Sequence, residues 1–440
     1  MKTKPAEVGR DAYYKLKRTK YAELRTWQYT FSNGVKVVLR ADDSQKDIVL
    51  NAICPGGASL LNDADYQSAV HAGEIIRHCG LGDLNAAELK VKLDAKNVVI
   101  NPTITDRASI ITGTFTREEI ETALQAITLY FTHPKKDDTY FAAYIKELKN
   151  KLSEDSKNPY AVFQDTVDAT LWGNRSVLTA KDINGITMDK VYNAFSKCFG
   201  NANGFTFIFT GHLQGDNMNE PAKLAGMFEQ YLGSLPSTQT ANAVNATAAL
   251  IPQGKIVKTI YNGNPPLSAV NLTYSGLYEH TDSVVLQLKV LNAVLKSKLN
   301  QLAAFNGANK AVVNLILNKY PKPQYAINVS YKCSNVQTSQ TIADVKATIQ
   351  DLQKAVSADD LKAYVDQRKK ELKVETFDYK WWSGYLSVQF FNSDDPYVIA
   401  HYPYNFHKAT SETLQQAATQ YLNGENYIQL TLMSAKTKTK

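Results

Sequence analysis

The sequence predicts an α+β protein made of two copies of one α/β domain, each an antiparallel (mixed) sheet with helices packed on one face. Three observations predict it. Runs that alternate apolar and polar residues are interleaved with stretches whose apolar residues recur at helical spacing. The order of these strands and helices is repeated further along the chain, at an offset of about 220 residues. Between the copies lies STQTANAVNATAALI, 237–251, which is small and polar with nothing to bury and therefore reads as a linker. The domains expected are a polar leader 1–25, a first repeat 26–236, the linker 237–255 and a second repeat 256–436.

After the leader, TWQYTFSNGVKVVLR (26–40) places two alternating runs around Asn33-Gly34, which supplies the positive backbone angles of a tight hairpin turn. A buried strand at 48–54, a turn at Pro55, Gly56 and Gly57, and a long helix bearing His71 and Glu74 follow, and the chain is organised around this stretch. A short helix at 85–93 leads to a second hairpin through 103–115. Residues 117–131 then carry Ile120, Leu124, Ile127 and Phe131 on one helical face, to be laid on that sheet. Helices 138–155 and 159–171 are separated at Asn158-Pro159, since proline ends one helix and starts the next. Another helix at 187–198, the strand FTFIFTGHL (205–213) and a helix ending in QYLGSLP close the first copy.

Past the linker the same order returns. AVNLTYSGLYE (269–279) stands for VLNAICPGGAS, and the helix 284–302 for the His71 helix. YAINVSYKC (325–333) with its helix 339–352 stands for ASIITGTF and its helix, and YIQLTLM (427–433) for FTFIFTG.

At 440 residues, 44% hydrophobic, the chain has material for two or more cores. It has no run of about 18 apolar residues to span a bilayer, and residues 1–18 lack an apolar signal core, so the chain as given is expected to be soluble and without an export signal. The net charge of +7 is spread among acids and reads as solvated surface; the alternative is a basic chamber wall facing acidic peptide. Cys54, Cys79, Cys198 and Cys333 are widely spaced without a C-x-x-C and are expected to be buried free thiols. No phosphate-binding glycine loop and no G-x-S-x-G elbow occurs. His212 at a strand end reads as part of a turn, and Trp381-Trp382 as packing.

His71-Ala72-Gly73-Glu74-Ile75 is one change away from H-x-x-E-H, the helical signature in which two histidines bind zinc and the glutamate is the base. His78 offers a substitute, since His71, Glu74 and His78 share a helical face. Two turns separate the histidines, however, about 10 Å along the axis, so structural histidines are expected.

The order NGVKVVL, PGGAS, HCGLG, NPYAVFQD, FTFIFTGHL and YLGSLP, continued by DYKWWSGYL (378–386), resembles one half of the insulinase/pitrilysin family of zinc metallopeptidases over roughly 25–435. It most resembles the C-terminal, non-catalytic half of the long bacterial members. The resemblance implies the insulinase/mitochondrial-processing-peptidase-like metallohydrolase fold. It implies that Ile75 stands where the second zinc histidine belongs, with Gly80 as the trailing glycine. The distal glutamate ligand should fall on the helix bearing Glu147, Lys151 and Glu154, in a register that puts it near Lys151. The family's substrate-contacting arginine and tyrosine correspond to LAAFNGANKAV (302–312), with Ala303 for the arginine, Gly307 in place and Lys310 near the tyrosine. Lys310 is either a solvated loop lysine or an oxyanion stabiliser.

The resemblance therefore implies a chain with no metal, cofactor-binding or catalytic residues of its own, inactive alone, with zinc in a fused or separate catalytic half as its partner. Its role would be that of chamber wall and binding surface for unfolded peptide, with no nucleic acid and no membrane insertion. The alternatives are an inactive structural scaffold subunit, and an active zinc peptidase with a rebuilt site. Localisation stays open; the long bacterial members point to the periplasm.

Overall fold

Gly34 takes φ 84, and Phe31 N–H donates to Val35 O at 2.9 Å, so Asn33-Gly34 turns the first hairpin as its chemistry requires. The structure, a computed structural model, describes residues 17–21, 24–42, 44, 46–213, 221–244, 248, 250–305 and 310–435. The strands of the first sheet are β1 (Lys17–Tyr21), β2 (Thr26–Thr30), β3 (Lys36–Ala41), β4 (Asp47–Pro55), β5 (Val99–Ile104), β6 (Ala108–Thr116) and β7 (Thr206–Gly211). The second sheet has β8 (Lys255–Tyr261), β9 (Ser268–Leu277), β10 (Val312–Asn318), β11 (Gln324–Cys333) and β12 (Tyr427–Met433). Helices α1 (Asp63–Arg77), α2 (Ala86–Asp94), α3 (Ile120–Thr132), α4 (Asp138–Asp155), α5 (Pro159–Trp172), α6 (Ala180–Gly185), α7 (Met188–Phe199) and α8 (Pro221–Tyr231) come before the second sheet. The rest are α9 (Asp282–Leu299), α10 (Thr338–Lys354), α11 (Ala358–Glu375), α12 (Tyr379–Asn392), α13 (Val398–Asn405) and α14 (Ser411–Tyr421).

The repeat read from the sequence is a repeat of topology. The first sheet runs β1-β2-β3-β7-β4-β6-β5 and the second β8-β12-β9-β11-β10 read from its other edge, so the last five strands of the first match all five of the second. The sense agrees as well: β3 is parallel to β7 and β8 to β12, and every other pair is antiparallel. Two stretches differ from expectation. Residues 17–21, inside the expected leader, pair with β2 as β1. The linker does bury a residue: Ile251 joins the core of the second sheet, where the Gln324 side-chain amide bonds both its N–H and its carbonyl at 3.1 Å.

The chain forms two compact units that differ from the contiguous repeats 26–236 and 256–436. Among the described residues, the first unit takes those up to Lys149, Thr179–Ala248 and Lys373–Ala400, and the second takes Asn150–Leu178, Ala249–Leu372 and those from His401. Each repeat thus gives one helix to the other repeat's sheet. In the first unit, α1, α3, α7 and α8 close over the apolar face of the sheet around Ile75, Leu124, Phe195 and Phe228. Across the opposite face lies α12, whose Trp382 and Leu386 cover Val38 and Ile208. In the second unit α5 does the same, with Phe163, Val167 and Leu171 one turn apart against Leu430 and Leu432. A fully buried side chain of this size is worth about 1.5–3 kcal/mol. Both exchanged helices start alike: Asn158 accepts from Tyr160 N–H at 3.0 Å, with Pro159 in the first turn, and Asp378 accepts from Lys380 N–H at 2.8 Å.

Cys54, Cys79, Cys198 and Cys333 are all buried and free. Burial pushes the Cys54 thiol up to about 12, with Cys198 adding to it, and those of Cys79 and Cys198 up to about 11, so these three stay protonated at neutral pH. Among the described residues, no helix is long and apolar enough to cross a membrane.

Candidate functional site

The site the sequence singles out lies on α1. Asn62 caps the helix by accepting from Asp65 N–H at 3.0 Å, and Gly73 lets it sit directly on β5. A Cβ at Gly73 would come within 2.6 Å of the Pro102 carbonyl oxygen, so no larger residue permits this approach. That contact turns one stripe of α1 into the core, and Ile75 belongs to it with 0% exposure, among Ala72, Ile76 and the apolar side chains of the sheet. An isoleucine that carries a share of the core stands where the resemblance puts the second zinc histidine.

His71 and His78 lie beside that stripe and are both engaged by α4. The His71 Nδ1 lies 2.8 Å from the Tyr144 hydroxyl, and the two rings meet edge-on at 5.8 Å. The His78 ring stacks on Tyr140 at 4.8 Å with 16° between planes, and its Nδ1–H donates to the Glu74 carbonyl at 2.9 Å. Glu74 itself is exposed and pairs with Arg77, Oε1 to Nη2 2.8 Å. Arg77 spends its Nη1 on Asn101 Oδ1, also at 2.8 Å. Lys151, where the distal ligand was expected, is exposed on α4, as is Glu147.

Zinc, implied by the resemblance, does not fit these residues. One ligand position is an isoleucine in the core, the expected distal position is a lysine, and among the described residues no group of three or more His, Cys, Asp or Glu side chains is arranged to hold a metal. The arrangement instead joins α1 to α4 through two imidazole–phenol contacts. Tyr140 and Tyr144 were not singled out from the sequence. Their i,i+4 spacing on an amphipathic helix was the available signal, but nothing local said which helix they would meet.

Burial, with Glu74 the next cause, raises the Tyr144 phenol to about 12, so its proton is held more tightly in the folded chain than in the unfolded one. The stability this contributes is complete below pH 10 and is lost as pH climbs toward 12. Tyr144→Phe is expected to lower the unfolding free energy by about 0.5–1.5 kcal/mol at pH 7. It should also flatten the alkaline loss relative to wild type; urea melts at pH 7 and pH 11 measure both.

Two other expectations fall in place. His212 follows β7, where its N–H continues the sheet pairing by donating to Asp47 O at 3.2 Å, and Leu213 N–H donates to Gly211 O at 2.8 Å to close a tight turn on it. Trp382 is buried and Trp381 stacks on Tyr385 at 5.3 Å, so the pair packs the fold. Of the segment 302–312, Gly307 lies outside the described residues. Ala303 begins a short 3-10 turn, and Lys310 lines a groove of about 340 Å³ beside α5 with Tyr160, Ser330 and Lys332. The Lys332 ammonium already sits 3.9 Å over the Tyr160 ring.

No protein-family model matches the chain, and no curated protein matches it in sequence. Solved structures do. The periplasmic protease PqqL from Escherichia coli is similar with a TM-score of 0.83 at 17% identity, over 95% of this chain and 46% of that one. The ferredoxin protease FusC, solved in complex with Arabidopsis ferredoxin, gives 0.80 at 15% identity, over 95% and 46%. A peptidase M16 inactive domain from Pseudomonas fluorescens gives 0.79 at 14% identity, over 93% of this chain and 98% of that one. The chain spans about half the length of PqqL and of FusC, and its fold is that of one half of an M16, insulinase-type peptidase.

Proposed function

We propose that this chain is a non-catalytic half of an insulinase-type zinc metalloendopeptidase, acting as chamber wall and peptide-binding surface for a fused or separate catalytic half that holds the zinc. The observation that carries this is the fate of the ligand helix: it is kept in place, yet Ile75 is committed to the core and His71 to Tyr144. A scaffold subunit is the alternative.

A wall can select unfolded peptide through the backbone of an edge strand, which pairs with any extended chain regardless of sequence. Of the two corresponding edge strands, β5 of the first sheet and β10 of the second, β10 suits this better. Each begins on a half-exposed valine, Val312 at 49% and Val99 at 50%, but β5 carries Pro102, which has no N–H to give. The compartment we infer is the periplasm, in keeping with the location of PqqL.

Mixing the chain with an authentic catalytic half is expected to raise hydrolysis of a long unstructured peptide by at least about tenfold, since enclosure holds the substrate in place. A fluorogenic assay of each half alone and of the pair measures it. No stimulation by an authentic partner would move the reading to the scaffold.

A further inference from the structure

The face of the first sheet that α12 crosses is only partly covered. Trp382 and Leu386 bury Val38 of β3 and Ile208 of β7, while the same face of β4, β6 and β5 is left as a groove of about 280 Å³. Its floor is polar: the strand register aligns Asn51, Thr112 and Asn101 across it, and α12 adds Lys380, Ser383 and Gly384.

Three features distinguish this groove from a packing gap. Ser383 is 3% exposed, yet its Oγ has no hydrogen-bond partner, and the Asn51 Oδ1 is buried and equally unpartnered. Buried polar groups left in this way cost free energy that a ligand supplying their partners would recover. Among the described residues lining the groove, Lys380 brings a positive charge and none brings a negative one. Finally, nothing lies within 4 Å of where a Gly384 Cβ would stand, so the space continues up to the helix backbone. The second unit has the corresponding groove beside α5, but Phe163 and Gln164 stand there where Ser383 and Gly384 stand here. The repeat therefore accounts for the groove, and the first unit's own sequence for its hydroxyl and its open end.

We propose that this groove binds the C-terminal residue of a peptide. Its carboxylate is taken by the Lys380 ammonium and the Ser383 hydroxyl, and its backbone N–H donates to Asn51 Oδ1. A free small acid offers the carboxylate alone and leaves Asn51 Oδ1 unsatisfied, which favours the peptide end. The proposal deepens the chamber-wall reading by naming where a substrate end docks. It is tested without a partner half, so loss of partner stimulation and loss of this site are separate results.

The test is fluorescence anisotropy on the full chain with N-terminally labelled pentaalanine, as the free acid and as the C-terminal amide, with acetate as competitor. The acid is expected to bind at least about tenfold tighter than the amide, because the charge-assisted bonds are lost in the amide. Ser383→Ala is expected to weaken the acid about threefold to tenfold. Gly384→Leu fills the open end and is expected to abolish binding, with an unchanged circular dichroism spectrum and cooperative unfolding. Equal binding of acid and amide, undiminished binding to folded Gly384→Leu, or no binding of the acid at millimolar concentration would overturn the site. Acetate that displaces the probe as effectively as unlabelled pentaalanine acid would overturn the peptide end in favour of a free small acid.

Discussion

Ile75→His is expected to restore the letters H-x-x-E-H and to lower the unfolding free energy by about 2–5 kcal/mol, the range for removing a large aliphatic side chain from a core and placing a polar ring there. Ile75 has no exposed surface and belongs to the apolar core under α1, where an imidazole would give up its hydration among hydrocarbon neighbours. The variant supplies one nitrogen in the wrong environment. His71 still faces Tyr144 at 2.8 Å, and Lys151 still stands near the expected distal position. We therefore expect no stoichiometric zinc and no peptide turnover by the variant alone. Urea unfolding, metal analysis after dialysis against zinc, and a peptide assay read the three outcomes. Stoichiometric zinc with turnover would show that the distal ligand lies elsewhere than Lys151 and that this half is a recently silenced enzyme.

The second large effect is expected at Trp382. Its ring is buried between α12 and the sheet and carries the Arg40 guanidinium, 4.1 Å from the ring centroid. Arg40 is itself buried, its Nε and Nη1 have no hydrogen-bond partner, and its nearest acid, Asp42, is 3.8 Å away. Burial pulls the Arg40 guanidinium down to about 10, only partly opposed by Asp42. The sign follows: a cation whose folded pKa lies below its unfolded value costs stability throughout neutral pH and is relieved only above about 10. Trp382→Ala should cost about 3–5 kcal/mol from lost packing alone. Arg40→Met should be neutral or stabilising, because an apolar chain of similar length replaces a poorly paired buried charge. In the Arg40→Met background, Trp382→Ala should cost about 0.5–2 kcal/mol less, the share owed to the ring–guanidinium contact. Guanidinium melts of the four proteins at pH 7 close this cycle. An Arg40→Met that is strongly destabilised would show that the charge is better compensated than its contacts indicate.

Much of this protein is determined by its sequence alone. Asn33-Gly34 dictates a hairpin, Asn158-Pro159 separates two helices, and the repeated order of strands and helices dictates two sheets of one design. These are local rules, in which backbone angles, caps and side-chain period act within a few residues. That residue 75 cannot bind a metal is equally a matter of letters, since the isoleucine side chain has no lone pair to give. Local rules say which face of an element is apolar, but not what covers it. Nothing near 159–172 or 379–392 tells α5 to cover the second sheet and α12 the first; matching apolar surfaces far apart in the chain decide it. The same holds for His71 and His78, whose partners Tyr144 and Tyr140 lie more than sixty residues on, and whose pairing exists only once α4 lies against α1. The grooves too are a tertiary product. A single helix is too narrow to cover a sheet of five or seven strands, and in the first sheet polar side chains of β4, β5 and β6 gather at the uncovered part.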